Sequence, residues 1–563
     1  MNQTTDKQIV RTLVSLCAEH GVKYAVFSPG SRNAPLVIGF NREEKINCRV
    51  IVDERSAAFF ALGMAQKNGK PVVLVCTSGT ALLNYAPAIA EAYYQHIPLI
   101  VVSADRPQAW IDQEDSQTIR QFEVLRNIVK KSYQLPENTD TKESRWFANR
   151  LINDAFITAL SGRKAPVHIN ISLNEPLCET GEFFSQERVI RPVQPEKLEQ
   201  TMIQSLAERF NQSEKVMILA GFMYETKQLR LSLNAFSRFP FVSVLTELIA
   251  NLSSENTVTA LEPVFASFSE NEIADFRPDL LISFGGSLVS KSAKQFLRKN
   301  PPLEHWYIGK EETTIDTFQC LTHRIDVNPE TFFTQLLPLI QPEEIARKAR
   351  KKDQEATSCF RAFVPSCHYQ TIYLEREKEL QLHQNQSLQQ SDWNDLKAFS
   401  LLMQSIPENS DLHLSNGMSI RLAQQFKLDK SISAYANRGT SGIDGSTSTA
   451  AGSASLNSGI TTLISGDLSF LYDSNALWNN YLSPRLKMVV INNGGGGIFR
   501  ELETSKLPEM STYFETPHRI DFEKLAALYE LKFLRATDEA TLKNVIKVMY
   551  TENEVPVLLE IIV

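Results

Sequence analysis

Two strings near the C-terminus place oxygen donors at the ends of apolar runs. Ile460 to Ser465 leads into Gly466-Asp467, and about two dozen residues later Lys487 to Ile491 leads into Asn492-Asn493 and four glycines. If the runs are neighbouring strands, their ends face one site. A carboxylate, an amide oxygen and a freed backbone carbonyl would there suit a hard divalent cation such as Mg²⁺. Alone, each string reads as a turn. Far upstream, Glu54 follows the apolar run Val50 to Val52 and precedes the apolar stretch Ala57 to Ala65. A carboxyl there would lose solvent and titrate high, as a general acid or base requires; the competing reading is a helix-start glutamate held by the macrodipole. Arg32, Arg106, Arg421 and Arg438 fall at strand-end or helix-start positions, where guanidinium groups bind carboxylates in bidentate fashion or make structural salt bridges.

The elements that must position these groups follow from hydropathy. Amphipathic stretches (Lys7 to His20, Ala57 to Lys67) alternate with short apolar runs at Tyr24 to Phe27, Arg49 to Val52, Val72 to Cys76 and Leu99 to Ser103. Apolar runs of this kind predict strands buried on both faces of a parallel sheet. The rhythm returns with Val216 to Ala220, Phe241 to Leu245 and Leu280 to Phe284, and again with Asp411 to Leu414, Ser433 to Ala436, Ile460 to Ser465 and Lys487 to Ile491. We therefore expect three doubly wound parallel-sheet α/β domains, over residues 1–185, 186–355 and 390–563. The polar stretch Pro342 to Gln389 carries helical charge patterns and reads as a linker region, with the linker proper at 356–389. Ligands of such sheets bind beyond the carboxyl ends of strands. Those positions read Ser28-Pro29-Gly30-Ser31-Arg32, Asp53-Glu54-Arg55, Thr77-Ser78-Gly79-Thr80, Ala104-Asp105-Arg106-Pro107, Ser415-Asn416-Gly417 and Asn437-Arg438-Gly439.

A chain of 563 residues, 43% hydrophobic and 22% charged, has ordinary globular composition. The net charge of −7 and the lack of a basic block beyond Arg347 to Lys352, read as a solvated helix face, argue against nucleic-acid binding. Seven scattered cysteines without a CxxC pair read as buried free thiols rather than disulfides or a zinc site. No HExxH pairing occurs among the nine histidines. The N-terminus lacks a basic segment followed by an apolar one, and no run approaches a membrane span, so the expectation is a cytoplasmic protein.

The Gly466-Asp467 and Asn492-Asn493 pair resembles the GDG…NN signature of thiamine diphosphate-dependent enzymes, with Leu468 where many members have glycine. That resemblance implies a Mg²⁺ (or substituting Mn²⁺) held by Asp467, Asn493 and the carbonyl of Gly495. It also implies Glu54 hydrogen-bonded to the cofactor's pyrimidine N1′, and Ile443 as the apolar wedge that bends the cofactor. Further cofactor contacts are implied at Thr77, Gly79, Gly417, Met418, Gly466, Leu468, Ser469, Asn493 and Ile498. Enzymes of this architecture build the site between the first domain of one subunit and the last domain of another, so the resemblance implies a homodimer or homotetramer.

The strings Ser28 to Leu36, Asp53-Glu54-Arg55, Cys76 to Ala81, Ala104 to Pro107, Asn437 to Gly445 and Gly496 to Phe499 are similar to those of the 2-succinyl-5-enolpyruvyl-6-hydroxy-3-cyclohexene-1-carboxylate synthases of menaquinone biosynthesis. The implied activity is a transferase reaction: 2-oxoglutarate loses CO₂ and its succinyl unit adds to isochorismate. Both substrates are anionic, which suits Arg32, Arg106, Arg421 and Arg438. The resemblance adds Ser31, Gln117 and Phe499 to the substrate site, and Lys291 from the middle domain. Gly417 departs from the serine common in the family, which leaves backbone contacts there. Gly285-Gly286 follows a strand but lacks the GxGxxG fingerprint, so neither FAD nor NAD is expected. Two alternatives stand beside this reading. A carboligase or decarboxylase of the acetolactate synthase type would share Glu54, Asp467 and Asn493 but need fewer arginines. A noncatalytic cofactor-binding paralogue would have no need of Glu54.

Overall fold

The computed structural model describes residues 3–182, 187–192, 197–223, 227–311, 313–341, 368–501 and 507–563. Three six-stranded sheets carry the fold. The N-terminal sheet runs, edge to edge, Asn47–Val50, Tyr24–Phe27, Val72–Cys76, Leu99–Asp105, Val167–Ser172 and Ser132–Gln134, every ladder parallel. The C-terminal sheet runs Ser433–Ala436, Asp411–Leu414, Thr461–Gly466, Leu486–Asn492, Val557–Ile562 and Lys532–Ala536, with parallel ladders from Asp411–Leu414 onward. The middle sheet runs Thr257–Val258, Val242–Thr246, Val216–Ala220, Leu280–Phe284, Glu304–Ile308 and His323–Ile325, again parallel. The middle sheet reverses its strand order once, and the N- and C-terminal sheets a second time at the far edge, where Val167–Ser172 and Val557–Ile562 insert inside the strand that precedes them; at the central switch point diverging connections leave a crevice beyond the strand ends.

By contact the chain forms two compact units. Residues 1–193, 411–419 and 436–563 make the first, residues 194–410 and 420–435 the second. The first unit thus joins the N- and C-terminal sheets, and the join is a helix pair. Helix Glu54–Asn68 is buried from Ser56 to Gln66, and helix Ser446–Ala454 throughout. Glycines set their spacing. A Cβ on Gly63 would lie 1.9 Å from the Thr449 carbonyl oxygen, and one on Gly452 would lie 2.0 Å from that of Phe60. The two backbones touch, as only glycine permits.

Two sequence expectations are corrected here. Arg49 to Val52 is not a strand buried on both faces: the strand is Asn47–Val50, at the sheet edge, and Val50 and Val52 are 46% and 47% exposed. An edge strand lacks a neighbour and a covering helix on its open side, so apolar residues at its end meet solvent. Nor does the expected linker 356–389 only connect. Residues 356–367 and the basic run 347–352 lie outside the described residues, but 369–390 form helix Tyr369–Gln390. Its Tyr369 and Tyr373 sit in the core of the second unit, each hydroxyl donating to the Phe276 carbonyl. Of the described cysteines Cys17 and Cys76 are buried as expected, whereas Cys178 is exposed; Cys359 and Cys367 lie outside the described residues.

Candidate active site

In the N-terminal sheet the order reverses between Tyr24–Phe27 and Val72–Cys76, so the crevice opens between Ser28 to Asn33 and Thr77 to Thr80. The two loops interlock through side chains. A Cβ on Gly30 would lie 2.3 Å from that of Thr77, and Tyr85 donates from its hydroxyl to the Val75 carbonyl at 2.8 Å. Thr77 is buried, and its Oγ1 has no hydrogen-bond partner in the chain, which leaves the hydroxyl available to a water or a ligand. Gly79 takes a left-handed φ of 87° and donates its N–H to Gln121 Oε1 at 2.7 Å. The buried Gln121 amide in turn donates to the Ala104 carbonyl and Asn170 Oδ1. Gln121 thereby fixes the Gly79 turn to the next strand ends.

Glu54 opens its helix behind an Asp53 cap, whose carboxylate accepts from Ser56 N at 2.8 Å. The Glu54 carboxyl is half-buried and titrates above the usual carboxylate range, first because burial strips its solvent and also because Asp53 is near; its backbone hydrogen bond pulls the other way. A macrodipole-stabilised glutamate would shift down, so here desolvation wins.

Gly79, expected at the cofactor, and Arg106 and Gln117, expected at the substrate, share one loop region. A Cβ on Gly79 would lie 3.3 Å from the Gln117 backbone, which is itself left-handed at φ 55°. Arg106 stands 3.1 Å from Asp115 Oδ2 and donates to the Ser116 carbonyl. Ser31 and Gln117 are exposed. Arg32 is buried instead, donating to the Leu173 carbonyl at 2.8 Å and pairing with Glu175 at 3.2 Å. Lys291, first residue of helix Lys291–Lys299, and Arg421 belong to the second unit.

In the C-terminal sheet the reversal falls between Asp411–Leu414 and Thr461–Gly466. Gly417 has φ 91°, and would-be Cβ atoms on Gly417, Gly466 and Gly494 meet nothing within 4 Å: the crevice has open backbone walls. Met418 follows, half-buried, at the start of helix Met418–Ala423. Asn416 pins the loop beyond, its amide donating to the carbonyls of Asn437 and Gly442, both at 2.6 Å, while its Oδ1 accepts from Arg438. So held, Ile443 presents a side chain 42% exposed. Its carbonyl accepts from Ser469 Oγ at 2.7 Å.

Asp467 is 2% exposed. Its Oδ1 accepts from Leu468 N at 2.6 Å and its Oδ2 from Gly495 N at 2.9 Å. The two strand ends thus meet at one carboxylate. Asn493 is half-buried beside them, with its amide packed on Gly497, and Ile498 and Phe499 continue the loop, Phe499 edge-on to Phe514.

Three contributors carried no motif. Glu91, 1% exposed, accepts from Gly439 N, Thr440 N and Thr440 Oγ1 at 2.5–2.7 Å, tying the helix before Leu99–Asp105 to the loop that holds Ile443. Gln121 is the second. His518, the third, lies with Nε2 3.2 Å from Asp467 Oδ2. Each acts across a contact distant in sequence, which spacing cannot reveal.

A carboxyl kept partly desolvated at one switch point, and a backbone-cradled carboxylate at the other, mark a thiamine diphosphate-dependent enzyme. The family models agree. Residues 7–124 match the N-terminal TPP binding domain of thiamine pyrophosphate enzymes, and residues 416–561 match the C-terminal one. The chain is 39% identical to the 2-succinyl-5-enolpyruvyl-6-hydroxy-3-cyclohexene-1-carboxylate synthase of Porphyromonas gingivalis, covering 99% of this chain and 94% of that protein. The synthases of Flavobacterium johnsoniae and Bacteroides thetaiotaomicron are 40% and 36% identical over 98% and 99% of this chain, and 95% and 96% of their own lengths. The chain belongs to the 2-succinyl-5-enolpyruvyl-6-hydroxy-3-cyclohexene-1-carboxylate synthase family.

Proposed function

We propose that this enzyme decarboxylates 2-oxoglutarate and adds the succinyl unit to isochorismate, giving the product for which its family is named. The observation that carries the reading is the junction of Asp467 with the Gly495 loop at the C-terminal switch point, opposite open glycine walls. Bound thiamine diphosphate supplies the electron sink for decarboxylation. The chain supplies positions and protons. Glu54, titrating high, would hydrogen-bond N1′ of the pyrimidine and set its proton state. Thr77 Oγ1 and the Gly79 backbone lie where the pyrimidine end would rest, and the exposed Ile443 where the cofactor must bend. Gly417, Met418, Gly466, Leu468 and Ser469 would hold the diphosphate through backbone and hydroxyl groups, with Ile498 on the apolar side.

Asp467, Asn493 and the Gly495 carbonyl would hold Mg²⁺, or Mn²⁺ in its place. Among the described residues no group of three or more His, Cys, Asp or Glu side chains is placed to hold a metal ion. A cation here would therefore rely on amide, carbonyl and diphosphate oxygens, as Mg²⁺ commonly does. Arg106, Gln117, Ser31 and Phe499 serve the acceptor end, with Arg32, Arg421, Arg438 and Lys291 as further substrate contacts. For Arg32 the Leu173 and Glu175 contacts favour a role in shaping the pocket wall.

We place the complete site between two subunits of a homodimer or homotetramer. In support, Val50 and Val52 beside Glu54, and Ile443, are apolar groups exposed on the single chain, which cofactor and a second copy would cover. No helix among the described residues is long and apolar enough to cross a membrane, in keeping with the cytoplasmic reading. The middle domain takes neither flavin nor nicotinamide on this reading: at its switch point a Cβ on Gly221 would lie 2.0 Å from the Gly286 carbonyl oxygen, so those glycines serve chain packing. The test is CO₂ release from 2-oxoglutarate with thiamine diphosphate and Mg²⁺, followed with and without isochorismate. Acceptor-independent turnover to a simple aldehyde as the sole product would favour the acetolactate-type alternative, and no turnover at all the noncatalytic one.

A further inference from the structure

His518 follows the short π-helix Met510–Glu515 and lies against the metal loop without belonging to it. Asp467 is buried and His518 partly so, at 3% and 13% side-chain exposure, with Nε2 3.2 Å from Asp467 Oδ2. The other ring nitrogen fixes the tautomer. Nδ1 accepts the backbone N–H of Ile520 at 3.3 Å, so in the neutral ring the proton sits on Nε2. That N–H makes no formed hydrogen bond to the carboxylate in the single chain, and Nε2 has no other partner. The segment before it is tied to the same loop, for Gly496 donates to the Glu515 carbonyl at 2.7 Å.

The lone pairs of Asp467 can be assigned from these contacts. Oδ2 is met by Gly495 N and by the His518 edge, whereas Oδ1 has only Leu468 N. From this we infer that His518 is a positioning residue of the metal site: with the cation bound, its otherwise unpartnered Nε2–H closes onto the second lone pair of Oδ2 and leaves the free lone pair of Oδ1 to the cation. A nitrogen that carries a proton has no lone pair to ligate, so His518 orients the ligand without becoming one. Groups that hold a ligating carboxylate commonly set metal affinity by roughly 10–100-fold when removed.

This inference rests on the assignment of Asp467 as a metal ligand, and the experiment separates the two. Mn²⁺ binding to the full-length protein with saturating thiamine diphosphate is measured by EPR titration for the parent, H518Q, H518F and D467A. H518F, which fills the ring's space without a donor, should bind Mn²⁺ roughly 10–100-fold more weakly. H518Q, whose amide restores an N–H near the Nε2 position, should recover most of that loss. Parental affinity in H518F, or a loss in H518Q as large as in H518F, overturns the role of His518. Parental affinity in D467A overturns the metal assignment instead. Pulsed EPR of the unmodified Mn²⁺-loaded protein provides a check that needs no variant to fold. The expected spectrum lacks directly bonded ¹⁴N coupling, and its presence would make His518 a ligand and refute the inference.

Discussion

Where helix Glu54–Asn68 meets helix Ser446–Ala454, a chain of polar groups crosses the contact. Ser56 Oγ lies 2.8 Å from Ser448 Oγ, which lies 2.8 Å from Asp473 Oδ1, while Ser448 N donates to Asp473 Oδ2 at 2.6 Å. Asp473 is fully buried, and burial pushes its carboxyl up to about 7, against the opposing pull of the Ser448 backbone and hydroxyl and of Arg55. A carboxyl raised in the folded state stabilises the fold fully below its unfolded value near 4, and loses that contribution as pH rises through about 7. A rise of about 3 pH units sets a ceiling of about 4 kcal/mol on the effect. Asp473→Asn keeps the shape and removes the titration. The amide oxygen can accept from Ser448 N, and its NH₂ can donate to Ser448 Oγ, which then turns its proton to Ser56. Melting temperatures of parent and variant, measured from pH 5 to pH 8, should diverge in the variant's favour toward the alkaline end. A difference that stays constant across that range, or that favours the parent more at pH 8, refutes the reasoning.

Glu54→Gln should still bind thiamine diphosphate but exchange the cofactor's C2 proton roughly 10²–10⁴-fold more slowly; exchange at the parental rate by NMR would remove Glu54 from proton management. Arg106→Ala should leave 2-oxoglutarate decarboxylation largely intact. Its apparent affinity for isochorismate should fall at least about tenfold, since a charged hydrogen bond is worth roughly 1.5–3 kcal/mol. Lysine at that position should rescue only part of the loss, and equal losses in both half-reactions would identify Arg106 as a prop for the loop it binds through Asp115 and Ser116. Gly452→Ala drives a methyl into the Phe60 carbonyl, so overpacking should lower stability by roughly 1–3 kcal/mol, and an unchanged melting curve would show that the helices can part freely.

Strands buried on both faces were legible nearly to the residue. Tyr24–Phe27, Val72–Cys76, Val216–Ala220, Leu280–Phe284 and Asp411–Leu414 all end where the apolar run gives way to glycine, proline or a small polar residue. Burial on both faces leaves no polar positions to blur such runs. Asn47–Val50 slipped because an edge strand need not end where its apolar residues do. Helix Glu54–Asn68 begins three residues before the amphipathic pattern does, for the Asp53 cap rather than hydropathy sets its start. Glycine and acid strings at strand ends marked the candidate site because a tight backbone needs those residue types locally. Glu91, Gln121 and His518 were invisible for the opposite reason. Each is one polar side chain whose partner is set by tertiary approach, Glu91 to Gly439 being an instance. Tyr369–Gln390 misled because its charged faces dominate the pattern, while only Tyr369, Tyr373, Glu377 and Leu388 are buried.

The backbone contact between Gly63 and Thr449, and between Gly452 and Phe60, also bears on how the protein is made. The two helices lie about 380 residues apart in the chain. At ordinary rates of synthesis, helix Glu54–Asn68 leaves the ribosome roughly 20–80 seconds before its partner exists. During that interval Gly63 and the Phe60 backbone lack the partner that covers them in the fold. Slowing translation across the middle of the gene should therefore lower the yield of native protein more than slowing it near the end.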